Sequence, residues 1–235
     1  MKKELFIDIE TIPEGELDDF ELYKEAPKNL KDPEKIKKWE EEAKEEQFLK
    51  QAVDTNRAKI LTIGAAFDNS QPECFIDFTN FNERDVLNNF EKYLKNNLEE
   101  LIKEGVSETR YIFHDVLFIG HNIKKFDLQL LYVKALKYEM PYLAQLVAPA
   151  RKRYNNGKSF DLMEEWNAGD PTAYISLDNI SKTLGIQGKK GDMDGSKVYE
   201  KYKEGLISEI VTYQKDDIIL TRNVYNRMKI SGIGV

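Results

Sequence analysis

Leu5-Phe6-Ile7-Asp8-Ile9-Glu10, stopped by Thr11-Ile12-Pro13, is the stretch on which the reading of this chain turns. Its β-branched and aromatic residues predict an opening strand, and the apolar flanks place that strand in the interior of a sheet. Side chains alternate along a strand, so Asp8 and Glu10 at i and i+2 fall on one face. Two carboxylates that close repel unless a cation lies between them, so the pair either shifts its proton affinities or binds a hard metal. Taken alone, Asp-x-Glu also describes an ordinary solvated strand face.

Further strands are predicted at 59–67 and 74–78. The turn-forming Asp68-Asn69-Ser70-Gln71-Pro72 between them favours an antiparallel pair, hence an opening meander of three strands. Between the first two strands, 32–53 is dense in Lys and Glu, with Pro33 at its first turn and Ile36, Trp39, Phe48 and Leu49 as a thin packing stripe. It reads as a solvated helix or as a lid or partner-binding arm. The segment 82–103 repeats Val86, Leu87, Phe90, Leu94, Leu98 and Leu101 at helical spacing, with Gly105 as its stop. A strand at 116–120, a loop and a helix at 126–137 form a βα unit. The stretch 148–169 reads as a basic loop or hairpin tip. Short helices are predicted at 176–184 and 196–202, and a long one at 207–228. No repeat or linker interrupts the chain, so one α/β domain over 1–235, with a charged helical insertion at about 32–53, is expected.

The 235 residues carry 35 Lys+Arg against 42 Asp+Glu, a net charge of −7. That argues against holding nucleic acid by bulk charge and leaves room for a local basic rim. The single Cys74 excludes an intramolecular disulfide, and two histidines, His114 and His121, are too few for a histidine-built zinc centre. Any metal would be a hard cation on carboxylates. No segment approaches the ~18 apolar residues of a membrane helix, and the N-terminus does not read as a signal peptide; a cytoplasmic protein without membrane partners is expected.

Two more places carry acids in a chemically suggestive setting. In Gly120-His121-Asn122-Ile123-Lys124-Lys125-Phe126-Asp127, Asp127 falls in the first turn of a helix at the C-terminal mouth of a strand, where open α/β sheets place ligands. It equally suits the helix macrodipole there. In Tyr213-Gln214-Lys215-Asp216-Asp217, Tyr213 and Asp217 are at i and i+4, stacked on one helix face.

Together, Phe6-Ile7-Asp8-Ile9-Glu10-Thr11, Gly120-His121-Asn122 with Phe126-Asp127, and Tyr213 with Asp217 resemble, in order and spacing, the three exonuclease motifs of the DEDD superfamily in its tyrosine-bearing branch. The closest likeness is to stand-alone proteins similar to the proofreading exonuclease domain of family B DNA polymerases. Ser176-Leu177-Asp178-Asn179-Ile180 to Leu184-Gly185, and Gly188 to Val198, resemble that subgroup too. The resemblance implies an RNase H-like mixed β-sheet flanked by α-helices and two divalent cations, Mg²⁺ or Mn²⁺. It implies that Asp8 bridges both cations, that Glu10 and Asp217 complete the site that activates water, that Asp127 holds the second, and that Tyr213 orients the attacking water. The activity expected is 3′–5′ exonuclease action on single-stranded DNA ends, with release of nucleoside 5′-monophosphates. RNA is the alternative substrate, and a catalytically silent nucleic-acid-binding module the alternative function. The chain leaves no room for a polymerase, so proofreading with a replication or repair partner would be in trans.

Thr11 and Asn122 are placed to meet the terminal nucleotide, Asn122 alternatively to fix its loop, and Phe126 or Tyr154 offers a stacking surface. Lys124, Lys125, Arg151, Lys152, Arg153, Lys158, Lys189 and Lys190 form a candidate phosphate-facing rim. Gln214 stands where these relatives often carry cysteine; it faces off the Tyr213/Asp217 side, which predicts little effect on chemistry. Asp192-Met193-Asp194-Gly195 lacks the third acid and closing Glu of a calcium loop, and Gly185 to Lys189 lacks the spacing and the Ser/Thr of a P-loop.

Overall fold

The computed structural model describes residues 2–103, 116–152, 157–170, 172–188, 193–230 and 232. Among the described residues, five strands form one sheet: β1 (Lys3–Ile12), β2 (Lys59–Phe67), β3 (Glu73–Phe75), β4 (Val116–Gly120) and β5 (Ser159–Asp161). Their spatial order is β3-β2-β1-β4-β5. β1 is therefore central, antiparallel to β2 and parallel to β4, and β3 and β5 close the edges. The expected meander is present, with β3 only three residues long.

β1 distributes its side chains by strand alternation. Leu5, Ile7 and Ile9 enter a core shared with α2 (Glu83–Lys103), α3 (Asp127–Lys137) and α4 (Pro141–Ala150). Phe6 faces the other way, into a core shared with α6 (Leu177–Thr183) and α8 (Ile207–Lys229). The helix predicted at 82–103 buries Val86, Leu87, Phe90 and Leu94 completely. Each such side chain contributes about 1.5–3 kcal/mol relative to exposure. Gly105 lies outside the described residues.

α3 is anchored by a buried ion pair, Lys134 Nζ to Glu83 Oε1 at 2.8 Å, with side chains 1% and 3% exposed. Glu83 also accepts from Ile60 N at 2.7 Å and from the Tyr138 hydroxyl at 2.7 Å. The carboxylate thus joins α2, β2 and α3, the helix that Asp127 opens.

The charged segment is α1 (Pro33–Lys50), capped by Asp32 accepting from Glu34 N and continued by a 3₁₀ turn, Gln51–Val53. Its buried stripe is Ala43, Gln47 and Phe48, while Leu49 is exposed. Phe48 meets Phe20 and Tyr199 edge-on, so the helix is seated against α7 (Val198–Lys203). The expected basic loop at 148–169 instead contains the end of α4, all of β5 and α5 (Leu162–Trp166). Ser159-Phe160-Asp161 is too short to show alternation, and only its pairing with β4 makes it a strand. Among the described residues, no helix is long and apolar enough to cross a membrane.

Candidate active site

Asp8 and Glu10 project from β1 on the face that α8 crosses, next to a bulge between Glu10 and Thr11. Bulges re-aim side chains beside functional sites. α8 brings Asp217, 6% exposed, to the same place. One carboxylate oxygen from each of Asp8, Glu10 and Asp217 lies within 4.8 Å of the others. Three acids this close, two of them buried, form a donor set suited to a hard divalent cation.

Tyr213, one turn before Asp217, hydrogen-bonds to its carboxylate. Burial first, and then the charges of Glu10, Asp217 and Asp8, raise the phenol's pKa far above its usual value. In the metal-free cleft Tyr213 is therefore held as a hydrogen-bonding phenol.

Asp127, 5% exposed, opens α3 and lines the same cleft as the three acids. Burial chiefly, then the charge of Asp8, pushes its pKa well above the ordinary carboxylate range, against a hydrogen bond from the Ile9 amide. A cation in the cleft would reverse that balance.

The cleft holds about 830 Å³, within the range of ligand sites. Asn122 and Phe126 line it, with Asn122 in the left-handed region at φ 62°. Asn122 Oδ1 is buried with no hydrogen-bond partner among the described residues. Thr11 is placed elsewhere. Its hydroxyl donates to Ala52 O, tying β1 to the turn that follows α1, and it does not line the cleft.

The cleft wall also includes residues not assigned to the site from sequence, among them Tyr174, 76% exposed, Lys182, ion-paired to Asp178 at 2.6 Å, Gln187 and Met193. Tyr174 stands two residues before Ser176, whose hydroxyl caps α6, and that legible cap was the available signal. Of the candidate basic rim, Lys124, Lys125 and Arg151 line a pocket that shares Asn122 with the cleft. Lys124 is 8% exposed at its side chain and ion-paired to Glu164, while Arg151 lies on the Tyr132 ring at 3.9 Å and donates to Gln129. Arg153, Tyr154, Lys189 and Lys190 lie outside the described residues.

Gln214, which faces off the Tyr213/Asp217 side, makes contacts of its own. It is fully buried, and its Nε2 donates to Asp8 O at 3.1 Å and Thr62 O at 3.4 Å. Its Oε1 accepts from Cys74 Sγ at 2.9 Å, in a setting where burial chiefly pushes the thiol pKa up to about 12. The side chain lies over Gly64, where an added Cβ would meet Gln214 Cγ at 2.7 Å. Gln214 thus ties α8, beside Tyr213 and Asp217, to the backbone of Asp8. Helical spacing tells which way it faces and not what it touches.

No curated protein matches the chain significantly. Among solved structures, the chain is similar to the family B DNA polymerase from the hyperthermophilic archaeon Pyrobaculum calidifontis, at 16% identity and a TM-score of 0.59. The match covers 97% of this chain and 24% of the polymerase, so the chain spans about a quarter of that protein's length. At that identity the likeness concerns the fold, an RNase H-like mixed sheet with flanking helices. A family model described as a predicted 3′-5′ exonuclease related to the exonuclease domain of PolB matches residues 113–232, just over half of the chain. That span contains Asp127, Tyr213 and Asp217, and the chain therefore belongs to this family of predicted exonucleases related to the exonuclease domain of PolB.

Proposed function

We propose that the protein is a divalent-metal-dependent 3′–5′ exonuclease that hydrolyses the terminal phosphodiester of single-stranded DNA and releases nucleoside 5′-monophosphates. The observation that carries this is the convergence of Asp8, Glu10 and Asp217 within 4.8 Å, in one cleft with Asp127 and Tyr213. Asp8, Glu10 and Asp217 would hold one cation, and Asp127 with Asp8 a second, Mg²⁺ or Mn²⁺. When bound, such cations stabilise charge on the attacking and leaving oxygens of an in-line displacement. They also offset the charge that a −7 protein presents to a polyanion.

The protein's own groups supply the rest. Tyr213, held as a phenol, donates to Asp217 and orients the attacking water by hydrogen bonding. Asn122 Oδ1 offers an acceptor to the terminal nucleotide, and Phe126 and the exposed Tyr174 offer faces on which bases stack. Discrimination between DNA and RNA rests on how the site meets the 2′ position, so RNA belongs in the same test. A replication or repair partner acting in trans, and a cytoplasmic setting, complete the proposal.

The test is degradation of a 5′-labelled single-stranded DNA oligonucleotide and its RNA counterpart, with Mg²⁺, Mn²⁺ or EDTA, by wild type and Asp8→Ala. A metal-dependent ladder shortening from the 3′ end and absent in Asp8→Ala is expected, with DNA the better substrate. Binding without cleavage of either strand, by folded wild type, would overturn the proposal in favour of a silent binding module.

A further inference from the structure

Asp161 ends β5, is 3% exposed and belongs to none of the motifs described above. Its carboxylate collects four backbone amides. Oδ1 accepts from Asn122 N at 2.9 Å, Met163 N at 3.0 Å and Glu164 N at 3.3 Å, and Oδ2 accepts from Lys124 N at 3.1 Å. The Met163 and Glu164 amides open α5, which makes Asp161 its N-cap. The Asn122 and Lys124 amides belong to a different element, the turn from β4 into α3 that delivers Asn122, Phe126 and Asp127 to the cleft.

That turn is tightly constrained. Asn122 sits at φ 62°, in the left-handed region that asparagine tolerates and most other side chains do not. Gly120 leaves no room for a side chain, since a Cβ would lie 2.1 Å from Ile123 Cγ2 and 2.7 Å from Ile7 O. Leu128 N then reaches back to Ile123 O at 2.9 Å, carrying the turn into the first residues of α3. A carboxylate that binds the amides on either side of Ile123 orients both peptide planes at once. Because β5 pairs with β4 in parallel, with Gly120 opposite Asp161, the grip comes from the rigid sheet.

We infer that Asp161 is a positioning residue for Asp127: it shapes the β4–α3 turn so that Asp127 already stands beside the β1 acids before a cation arrives. The inference rests on the reading of Asp127 as a cation ligand. Without the grip the two peptide planes are free to turn, Asp127 is no longer held beside the β1 acids, and cation affinity falls. Groups that orient a ligand from behind typically change metal affinity by about 10- to 100-fold when replaced.

Asp161→Ser separates the two roles, because a serine hydroxyl caps α5 but cannot span both turn amides. Mn²⁺ binding is measured by calorimetry on wild type, Asp161→Ser, Asp127→Asn and the double variant, alongside kcat and KM on the oligonucleotide and the melting temperature. Asp161→Ser is expected to weaken the Asp127-dependent Mn²⁺ site about 10-fold or more and to lower kcat at fixed Mn²⁺, with KM for the oligonucleotide within about twofold. The double variant should bind Mn²⁺ as Asp127→Asn does. Wild-type Mn²⁺ affinity in folded Asp161→Ser, while Asp127→Asn loses a site, would overturn the positioning role and leave the ligand reading standing. Wild-type affinity in Asp127→Asn would overturn the ligand reading itself, and the inference with it. Amide exchange in metal-free wild type decides the matter should Asp161→Ser fail to fold. Protected Asn122 and Lys124 amides support the grip, and unprotected ones that slow only on Mn²⁺ addition refute it.

Discussion

Removing the Gln214 side chain, alone and together with filling Gly64, tests whether this side chain sets the position of α8 against β1. In Gln214→Ala the Asp8 and Thr62 carbonyls lose a buried donor, at about 1 kcal/mol each, and a cavity opens beneath the helix. The expected loss of stability is about 2–4 kcal/mol. In Gly64→Ala the new methyl meets Gln214 Cγ at 2.7 Å and Cδ at 2.9 Å, and overpacking of this kind costs about 1–3 kcal/mol. The three atoms nearest that methyl all belong to Gln214, so removing the side chain removes the clash and leaves the methyl a space to fill. Gly64→Ala/Gln214→Ala should therefore be less destabilised than the sum of the two singles by about 1 kcal/mol or more. Urea denaturation of the four proteins, read as midpoints at constant m, gives the coupling. Both singles should also lower kcat, since each displaces Tyr213 and Asp217 relative to Asp8. Additivity within about 0.5 kcal/mol, or full activity in Gln214→Ala, would refute the reasoning.

Burial and the charge of Asp8 raise the pKa of Asp127, so over a window opening at about pH 4 the folded chain binds more protons than the unfolded one. The melting temperature in EDTA should fall as pH rises through that window, and Mg²⁺ should reverse the trend; a flat or rising profile in EDTA would contradict it. Gly120→Ala places a methyl against Ile123 and the Ile7 carbonyl, backbone that cannot swing aside, so the variant should lose more than about 3 kcal/mol or fail to accumulate as soluble protein. Lys134→Ala leaves Glu83 charged and buried, at a cost of about 3–5 kcal/mol by urea unfolding. A loss under about 1 kcal/mol would mean that Lys137, 3.8 Å from Glu83 Oε2, serves as counterion in its place.

Much of this architecture was legible because its signals are local. The β-favouring apolar runs at 5–10 and 59–67, the apolar spacing of 82–103 and the run from Ile207 are properties of neighbouring residues, and those elements appear within a residue or two of expectation. Strand alternation puts Asp8 and Glu10 on one face, and helical spacing pairs Tyr213 with Asp217. β5 was not legible, because three residues carry no period and become a strand only by pairing with β4. Position along the chain places Thr11 just past the strand and Lys124 in the candidate rim. In the fold the Thr11 hydroxyl donates to Ala52 O and Lys124 pairs with Glu164, acceptors that only packing supplies.

The sequence by itself determined the longer elements, the central acidic strand and the set of groups available for chemistry, since periodicity and residue type act over a few positions. Only the tertiary structure decided that acids from 8 to 217 meet, that Gln214 carries the Asp8 backbone, and that Asp161 grips the turn before Asp127. Those are contacts between residues distant in the chain, and their energies exist only once strand pairing and helix packing have brought the groups within hydrogen-bonding reach.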